Sequence, residues 1–365
     1  MFFRERRVGK RPRRRGHLGV WDPTGGETRA GSGLPVEEGE ERVRVLLRTR
    51  EGAVREISRE ELGAALADRR AALWVDLLRP RERGEEILRG VLGLPSLTVE
   101  DCMAPLRMPK MDVFSVAGQR RLFVAAFAVR VERGPMLSLR AVEVDLVAGP
   151  NYLVTVRDGP VFEIEGRLEG RIREGNLPET PGRHLVYEAL DALVDGHLPG
   201  LVEVAGAAEE LEESLDPNRE RASVAALEGL IYLRRDLQAF RRLAVAQQEI
   251  LRRLGRVSPE LREHLSDVED NQREAVDMAD ATRDYVEGAI EAYRMRRDER
   301  SELGIRRLTV FAAILGPLSL ISGIYGANFV EIPGAQSEWG FPVFVGAQVL
   351  FAGFASWLLH RRGLL

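Results

Sequence analysis

Two groups of residues in this 365-residue chain have the types and spacing to handle a cation. The first is acidic. Glu100 and Asp101 adjoin each other ahead of a basic segment, Arg107-Met108-Pro109-Lys110-Met111-Asp112, and Asp267, Asp270, Glu274, Asp277, Asp284 and Glu291 follow one face of a later helical stretch. Carboxylate oxygens are what hard divalent cations prefer; the same residues equally suit a helix end with local ion pairs. The second group is a row that enters an uncharged apolar run, Leu308 to Asn328: Glu302, Ile305, Thr309, Ala312, Gly316, Ser319 and Gly323, small and polar where its surroundings are Leu, Ile, Val and Phe. Such a row fits a close helix–helix seam in lipid. It fits as well a pore wall, with hydroxyls at Thr309 and Ser319 and carbonyls freed near Pro317 facing water. Glu331 and Glu338, in the loop after the run, favour a cation pathway.

Composition removes other chemistries. A net charge of −4 gives no global case for nucleic acid. One cysteine, Cys102, excludes a disulfide framework and fits a reducing compartment. Five histidines in no ligand spacing argue against a Cys/His transition-metal site. No nucleophile elbow, phosphate loop or dinucleotide fingerprint occurs, so an enzyme and an organic cofactor have no motif behind them.

The elements that position these residues change character along the chain. Residues 1–34 read as a disordered basic tail without the apolar segment of a secretory signal. Residues 35–183 read as an α/β domain, with strands at Val43–Leu47, Ala72–Leu77, Leu122–Phe127, Ala141–Val147 and Asn151–Val156 and a helix at Glu82–Leu92. From His184 the period is helical. One helix is expected to about Leu215, a second from Asp216-Pro217 to about Leu254, and a third capped by Ser258-Pro259-Glu260. Leu261, Leu265, Val268, Gln272, Ala275, Ala279, Thr282, Val286, Ala289 and Tyr293 give that third helix one packed row, and nothing breaks it before Tyr325. At 1.5 Å per residue it spans about 100 Å, a rod between a soluble domain and a membrane.

Two charge-free runs, Leu308–Asn328 and Phe341–Leu359, are each near the roughly 20 residues that cross a bilayer. Arg306 and Arg307 precede the first, His360, Arg361 and Arg362 follow the second, and the loop between has no Lys or Arg. The positive-inside rule puts both termini in the cytoplasm. The chain divides into the long-helix stalk 184–304, transmembrane helices 305–327 and 341–359, the extracytoplasmic loop 328–340 and a basic tail 360–365.

Tyr325-Gly326-Ala327-Asn328-Phe329, after Gly316-Pro317-Leu318 and before Trp339-Gly340-Phe341-Pro342, resembles the signature of the CorA family of divalent-cation channels. Tyr187 to Asp195, and Leu97 to Asp101 followed by Arg107, Pro109 and Lys110, resemble other family segments in the same order. The resemblance implies an α/β cytoplasmic domain, long helices and two C-terminal transmembrane helices in a funnel-shaped homopentamer in the cytoplasmic membrane. The first span would line the pore. Tyr325, Gly326, Ala327 and Asn328 would form the selectivity filter, with Asn328 reading the water shell of magnesium, an ion that dehydrates reluctantly. Ile305 and Leu308 match the family's hydrophobic gate. Glu100 and Asp101 match its regulatory carboxylates, facing Asp267 of the next subunit, with Asp270 one turn away. Magnesium is then both cargo and regulator, with cobalt and nickel as secondary cargo.

Departures bear on the choice of ion. Ala327 stands where the family usually has Met, Glu302 where it has an amide, Gly316 where it has a bulkier residue, and Val330 where an acid is common. A zinc or broad divalent transporter of the same family is the alternative. A membrane-anchored scaffold is the alternative of another class, and it leaves the small-residue row and Asn328 unexplained.

Overall fold

Apolar residues alternating along extended segments build the first of two units. The computed structural model describes residues 40–106, 108–134, 136–175, 177–216, 220–327, 337 and 339–362. The expected tail 1–34, Arg107, Pro217, Asn328 and most of the 328–340 loop lie outside the described residues. One unit holds the described residues to Leu211 with Glu228–Val286, and the other holds Glu212–Leu227 with the described residues from Glu287 onward.

In the first unit, β1 (Arg42–Arg48), β2 (Val54–Glu56), β3 (Ala72–Leu78), β4 (Lys110–Val116), β5 (Gln119–Arg133), β6 (Leu137–Ala148) and β7 (Tyr152–Arg157) form one sheet ordered β2-β1-β3-β7-β6-β5-β4. Only β3 and β7 pair in parallel. Every residue of those two central strands is buried, as expected when both faces are covered. Period two divides the core: Leu46, Trp74, Val124, Leu146 and Leu153 face one side, Val45, Val75, Phe123, Val147 and Val154 the other. The second side is covered by α1 (Arg59–Ala67), by Ile87 just after α2 (Glu82–Glu86) and by α3 (Ser96–Met103), through Leu62, Ile87, Val99 and Cys102. The first is covered by α4 (Phe162–Glu174), α5 (Pro181–Asp195) and residues of α7 (Glu220–Val257) and α8 (Arg262–Gly326), including Leu251, Leu254, Leu265 and Val268. Gly182 lets α5 start against the β6–β7 turn: a Cβ there would lie 1.9 Å from the Gly149 carbonyl oxygen.

β4 reaches only as far as Lys110 opposite Ala125, so the next outward-facing backbone groups of β5, those of Phe127, need other partners. Side chains supply them. The Phe127 N–H donates to Gln247 Oε1 at 2.9 Å, and its carbonyl lies 3.1 Å from Nε2 of His197, which opens α6 (His197–Glu213). Gln272 of α8 holds the other imidazole nitrogen at 3.0 Å and donates to the Ala244 carbonyl. Burial pulls the His197 pKa down to about 4, outweighing the bonds to Phe127 and Gln272 that act to raise it.

The packed row expected on the third helix is buried throughout, from Leu261 to Tyr293, and α8 continues through Pro317 without a break. Other expectations need correction. The single helix from His184 to Leu215 is two, α5 and α6, parted at Gly196, where glycine weakens helix propagation. The helix at Glu82–Leu92 passes after Glu86 into a π-turn, Ile87–Val91. The basic segment from Lys110 onward is strand β4. Helix α4 went unseen because Gly166 and Gly170 interrupt it, yet Ile164, Leu168 and Ile172, one turn apart, bury it.

In the second unit, the last part of α8 and α9 (Gly340–Arg361) are both long and apolar enough to cross a membrane.

Candidate functional site: acidic helices and a small-residue row

The acidic group is built on α3 and α8. Pro95 precedes α3, and Thr98, Val99 and Cys102 are its buried residues. That leaves Glu100 exposed and Asp101 half-buried at the end facing β4. Asp101 Oδ2 accepts from Lys110 Nζ at 2.6 Å, and the ammonium also reaches Asp112 at 3.1 Å. The bond to Asp101 raises the Lys110 pKa. On α8 the buried row turns Asp267, Asp270, Glu274, Asp277, Asp284 and Glu291 to solvent, and Asp270 pairs with Arg273 at 3.0 Å. Glu100, Asp101, Asp267 and Asp270 all offer oxygen donors suited to magnesium. The chain does not gather them: among the described residues no three Asp, Glu, His or Cys groups are placed to hold an ion.

Behind α3 lies an acidic pair that sequence patterning missed. Glu143 and Asp145 sit two residues apart on β6, which aims both at one face. Glu143 accepts the Leu106 N–H at 3.0 Å, tying down the segment after α3. Asp145 is 4% exposed, and its Oδ1 has no hydrogen-bond partner among the described residues. Burial first pushes both carboxyls above the usual range; the charges of Glu143 and Asp101 add to the rise at Asp145, those of Asp158 and Asp101 to the rise at Glu143, and burial does the same to the Cys102 thiol. The signal lay in the strand itself, where Val142-Glu143-Val144-Asp145-Leu146 puts acids on every second residue.

The small-residue row stands on the other unit. Glu302, Ile305, Thr309, Ala312, Gly316, Ser319 and Gly323 are all exposed, and the Thr309 hydroxyl donates to the Ile305 carbonyl at 2.9 Å. Val310, Ile314, Pro317 and Leu318, on another face of α8, are the residues that lose exposure. Contacts with α9 fall near that second face: Gln348 Nε2 donates to Ser322 Oγ at 2.7 Å, and the Tyr325 and Phe344 rings lie 4.7 Å apart. The seam within the chain therefore runs along a different stripe from the row. Gln348 was missed in the sequence because the run carrying it has no charge. Of the expected filter, Tyr325 and Gly326 close α8 and Ala327 follows it, while Asn328 lies outside the described residues. Leu308, expected at the gate, is exposed.

A family model described as CorA-like Mg2+ transporter protein matches residues 70–361. YfjQ of Bacillus subtilis, which is assigned to metal ion transport, is 26% identical over 79% of this chain and 88% of its own. The cobalt/magnesium transport protein CorA of Thermotoga maritima is 26% identical over 71% of this chain and 74% of its own. The zinc transport protein ZntB of Cronobacter sakazakii is 28% identical over 57% of this chain and 64% of its own. Among solved structures, the CorA magnesium transporter of Methanocaldococcus jannaschii superposes with a TM-score of 0.70 at 18% identity, covering 88% of this chain and 98% of that one.

Proposed function

The chain belongs to the CorA-like Mg2+ transporter family, and from that premise we propose that it is a magnesium channel, a homopentamer closed by cytosolic magnesium. Its helices 305–327 and 341–359 cross the cytoplasmic membrane, its 328–340 loop faces outward and both termini are cytoplasmic. The observation that carries the reading is the exposed row from Glu302 to Gly323, left on a face of α8 that the chain's own second span does not cover. In lipid, a stripe of small and hydroxyl-bearing residues is stable against another helix or against water. Five copies of α8 around an axis supply both.

In that assembly Asn328, with Tyr325, Gly326 and Ala327, reads the hydration shell of the ion at the outer mouth. Ile305 and Leu308 form rings that gate by dewetting, and Glu302 adds a ring of negative charge at the inner end. Cobalt and nickel are secondary cargo. Glu100 and Asp101 of one subunit, with Asp267 and Asp270 of the next, hold a regulatory magnesium through oxygen donors. Without the ion the carboxylates repel and the subunits part.

The test is magnesium uptake into liposomes. Asn328→Ala should abolish flux while leaving the oligomer intact by cross-linking; retained flux removes Asn328 from the filter. The similarity to a zinc transport protein, together with Ala327 in the signature, keeps one second reading: a zinc or broad divalent transporter. Competition between magnesium and zinc in the same liposomes separates the two.

A further inference from the structure

The two apolar helices of the second unit present a charged surface that the transport reading does not use, at the ends remote from the 328–340 loop. Gln348 Nε2 bonds Ser322 Oγ, and the Phe344 ring lies 4.7 Å from that of Tyr325, so α9 runs antiparallel to α8. Counting back along α8 and on along α9 in equal steps from the first of these pairs brings Thr309 level with Arg361. Arg306 and Arg362 lie within about one turn, about 5 Å, of that level. Arg306, Arg361 and Arg362 are all exposed. None forms an ion pair among the described residues, although Glu302 stands one turn before Arg306.

The two helices offer these cations differently. Arg306 precedes Val310 by one turn, and Val310 is the buried residue on the face of α8 near α9. Arg306 therefore stands beside the seam between the helices, off the small-residue row. The Arg361 guanidinium lies 5.5 Å over the ring of Trp357, whose centroid is 6.0 Å from that of Phe354. Trp357 follows Gln348 by two and a half turns, so this column faces away from α8. Trp357 is 54% exposed and Phe354 60%. In order along the column come an apolar ring, an indole of the kind that sits at a membrane interface, and a cation beyond it. The positive-inside bias alone asks only for basic residues in the flanks of a span. It does not stack one on an interfacial ring or bring cations of two helices to one level.

On the reading that α8 and α9 cross the membrane, we propose that these ends bind the headgroup phosphate of an anionic glycerophospholipid, of the phosphatidylglycerol kind. Guanidinium forks take phosphate oxygens in pairs, and basic clusters at the cytoplasmic ends of spans attract anionic lipid. Trp357 and Phe354 give the glycerol and upper acyl chain an amphipathic and then an apolar surface, which a free phosphate ion has no part to use. With Arg306 on one helix and Arg361 and Arg362 on the other, the lipid ties the two spans together where the rod enters the membrane.

Full-length protein is first floated with liposomes of phosphatidylcholine alone; failure to float removes the spans, and the lipid site with them. The protein in a neutral detergent at physiological ionic strength is then unfolded thermally as phosphatidylglycerol is added. Phosphatidylcholine with the same acyl chains and sodium phosphate run in parallel. A saturable rise with phosphatidylglycerol that neither of the others gives is expected. Arg306→Gln and Arg361→Gln should each raise the half-saturating lipid concentration about fivefold, the share of one cation at an anionic surface. Arg294→Gln removes the same charge from an exposed position about 18 Å back along α8, beyond the Debye length, and should leave that concentration unchanged. Floating protein that gains equally from both lipids, or that loses as much through Arg294→Gln as through the other two, has no site here, and the proposal falls while the spans stand. An equal gain with sodium phosphate overturns the lipid as the occupant.

Discussion

Acidification should destabilise the first unit through one residue, His197. Its imidazole is 1% exposed and lies between two oxygens, the Phe127 carbonyl and Gln272 Oε1. Burial holds its pKa at about 4, against about 6.5 in an unfolded chain. The unfolded state therefore binds the proton first as pH falls, so stability is full above about pH 6.5 and drains away toward pH 4. Linkage with these two values gives a loss of about 2 kcal/mol between pH 7 and pH 5, and about 3 kcal/mol once pH 4 is passed. His197→Gln keeps a polar group able to donate to Phe127 but removes the titration. The assay is unfolding of wild type and variant in parallel over that range, with the difference between them cancelling the shared carboxylates. The variant starts less stable at neutral pH, and the gap should close by about 2 kcal/mol at pH 5. A gap that stays constant with pH refutes the reasoning, because the buried neutral imidazole would then contribute nothing to the acid limb.

The acidic pair on β6 predicts the opposite dependence. A carboxyl raised on folding loses stability as pH rises, so Asp145→Asn should gain on wild type progressively from about pH 5 to pH 8; an equal difference at both ends would show that the carboxyl is not raised. Gln348→Leu removes the bond to Ser322 within the apolar pair of helices. The expected loss is about 0.6 to 1.7 kcal/mol, read by unfolding in detergent. Lys110→Met frees Asp101 from its ion pair. If Asp101 holds the regulatory ion, flux measured against internal magnesium should be inhibited at up to about fivefold lower concentration, the equivalent of about 1 kcal/mol; an unchanged curve would separate Asp101 from regulation.

The large periodic features were legible in the sequence for a physical reason: repetition averages out local accident. The ten-residue row from Leu261 to Tyr293 is buried, and the acidic face opposite is exposed. The short elements were not legible. α3 has eight residues and β2 three, too few for a period to declare itself. The helix break at Gly196 escaped because one glycine inside a helical pattern is usually tolerated. The site residues show the same division. Composition could place carboxylates at Glu100 and Asp101, but their immediate partner is decided by where β4 runs, and the basic segment that supplies Lys110 did not look like a strand. The Phe127 contacts with His197 and Gln247 depend on where β4 stops, which no local pattern encodes.

What the single chain does to its acidic residues bears on how a regulatory ion would be sensed. Asp101 and Asp270 are not bare: Lys110 and Arg273 already neutralise them. Both pairs are partly exposed, at 40% and 53% for the cationic side chains, and such pairs contribute about 1 kcal/mol at most. A divalent ion shared between chains has only to exceed that. Binding at a millimolar dissociation constant, the range in which a plentiful cation is worth sensing, supplies about 4 kcal/mol. If Asp101 and Asp270 hold the proposed regulatory ion, the resident cations are too weak to block it and strong enough to shift its threshold. In that reading the element that tunes Asp101 is Lys110 on β4, outside the acidic residues themselves.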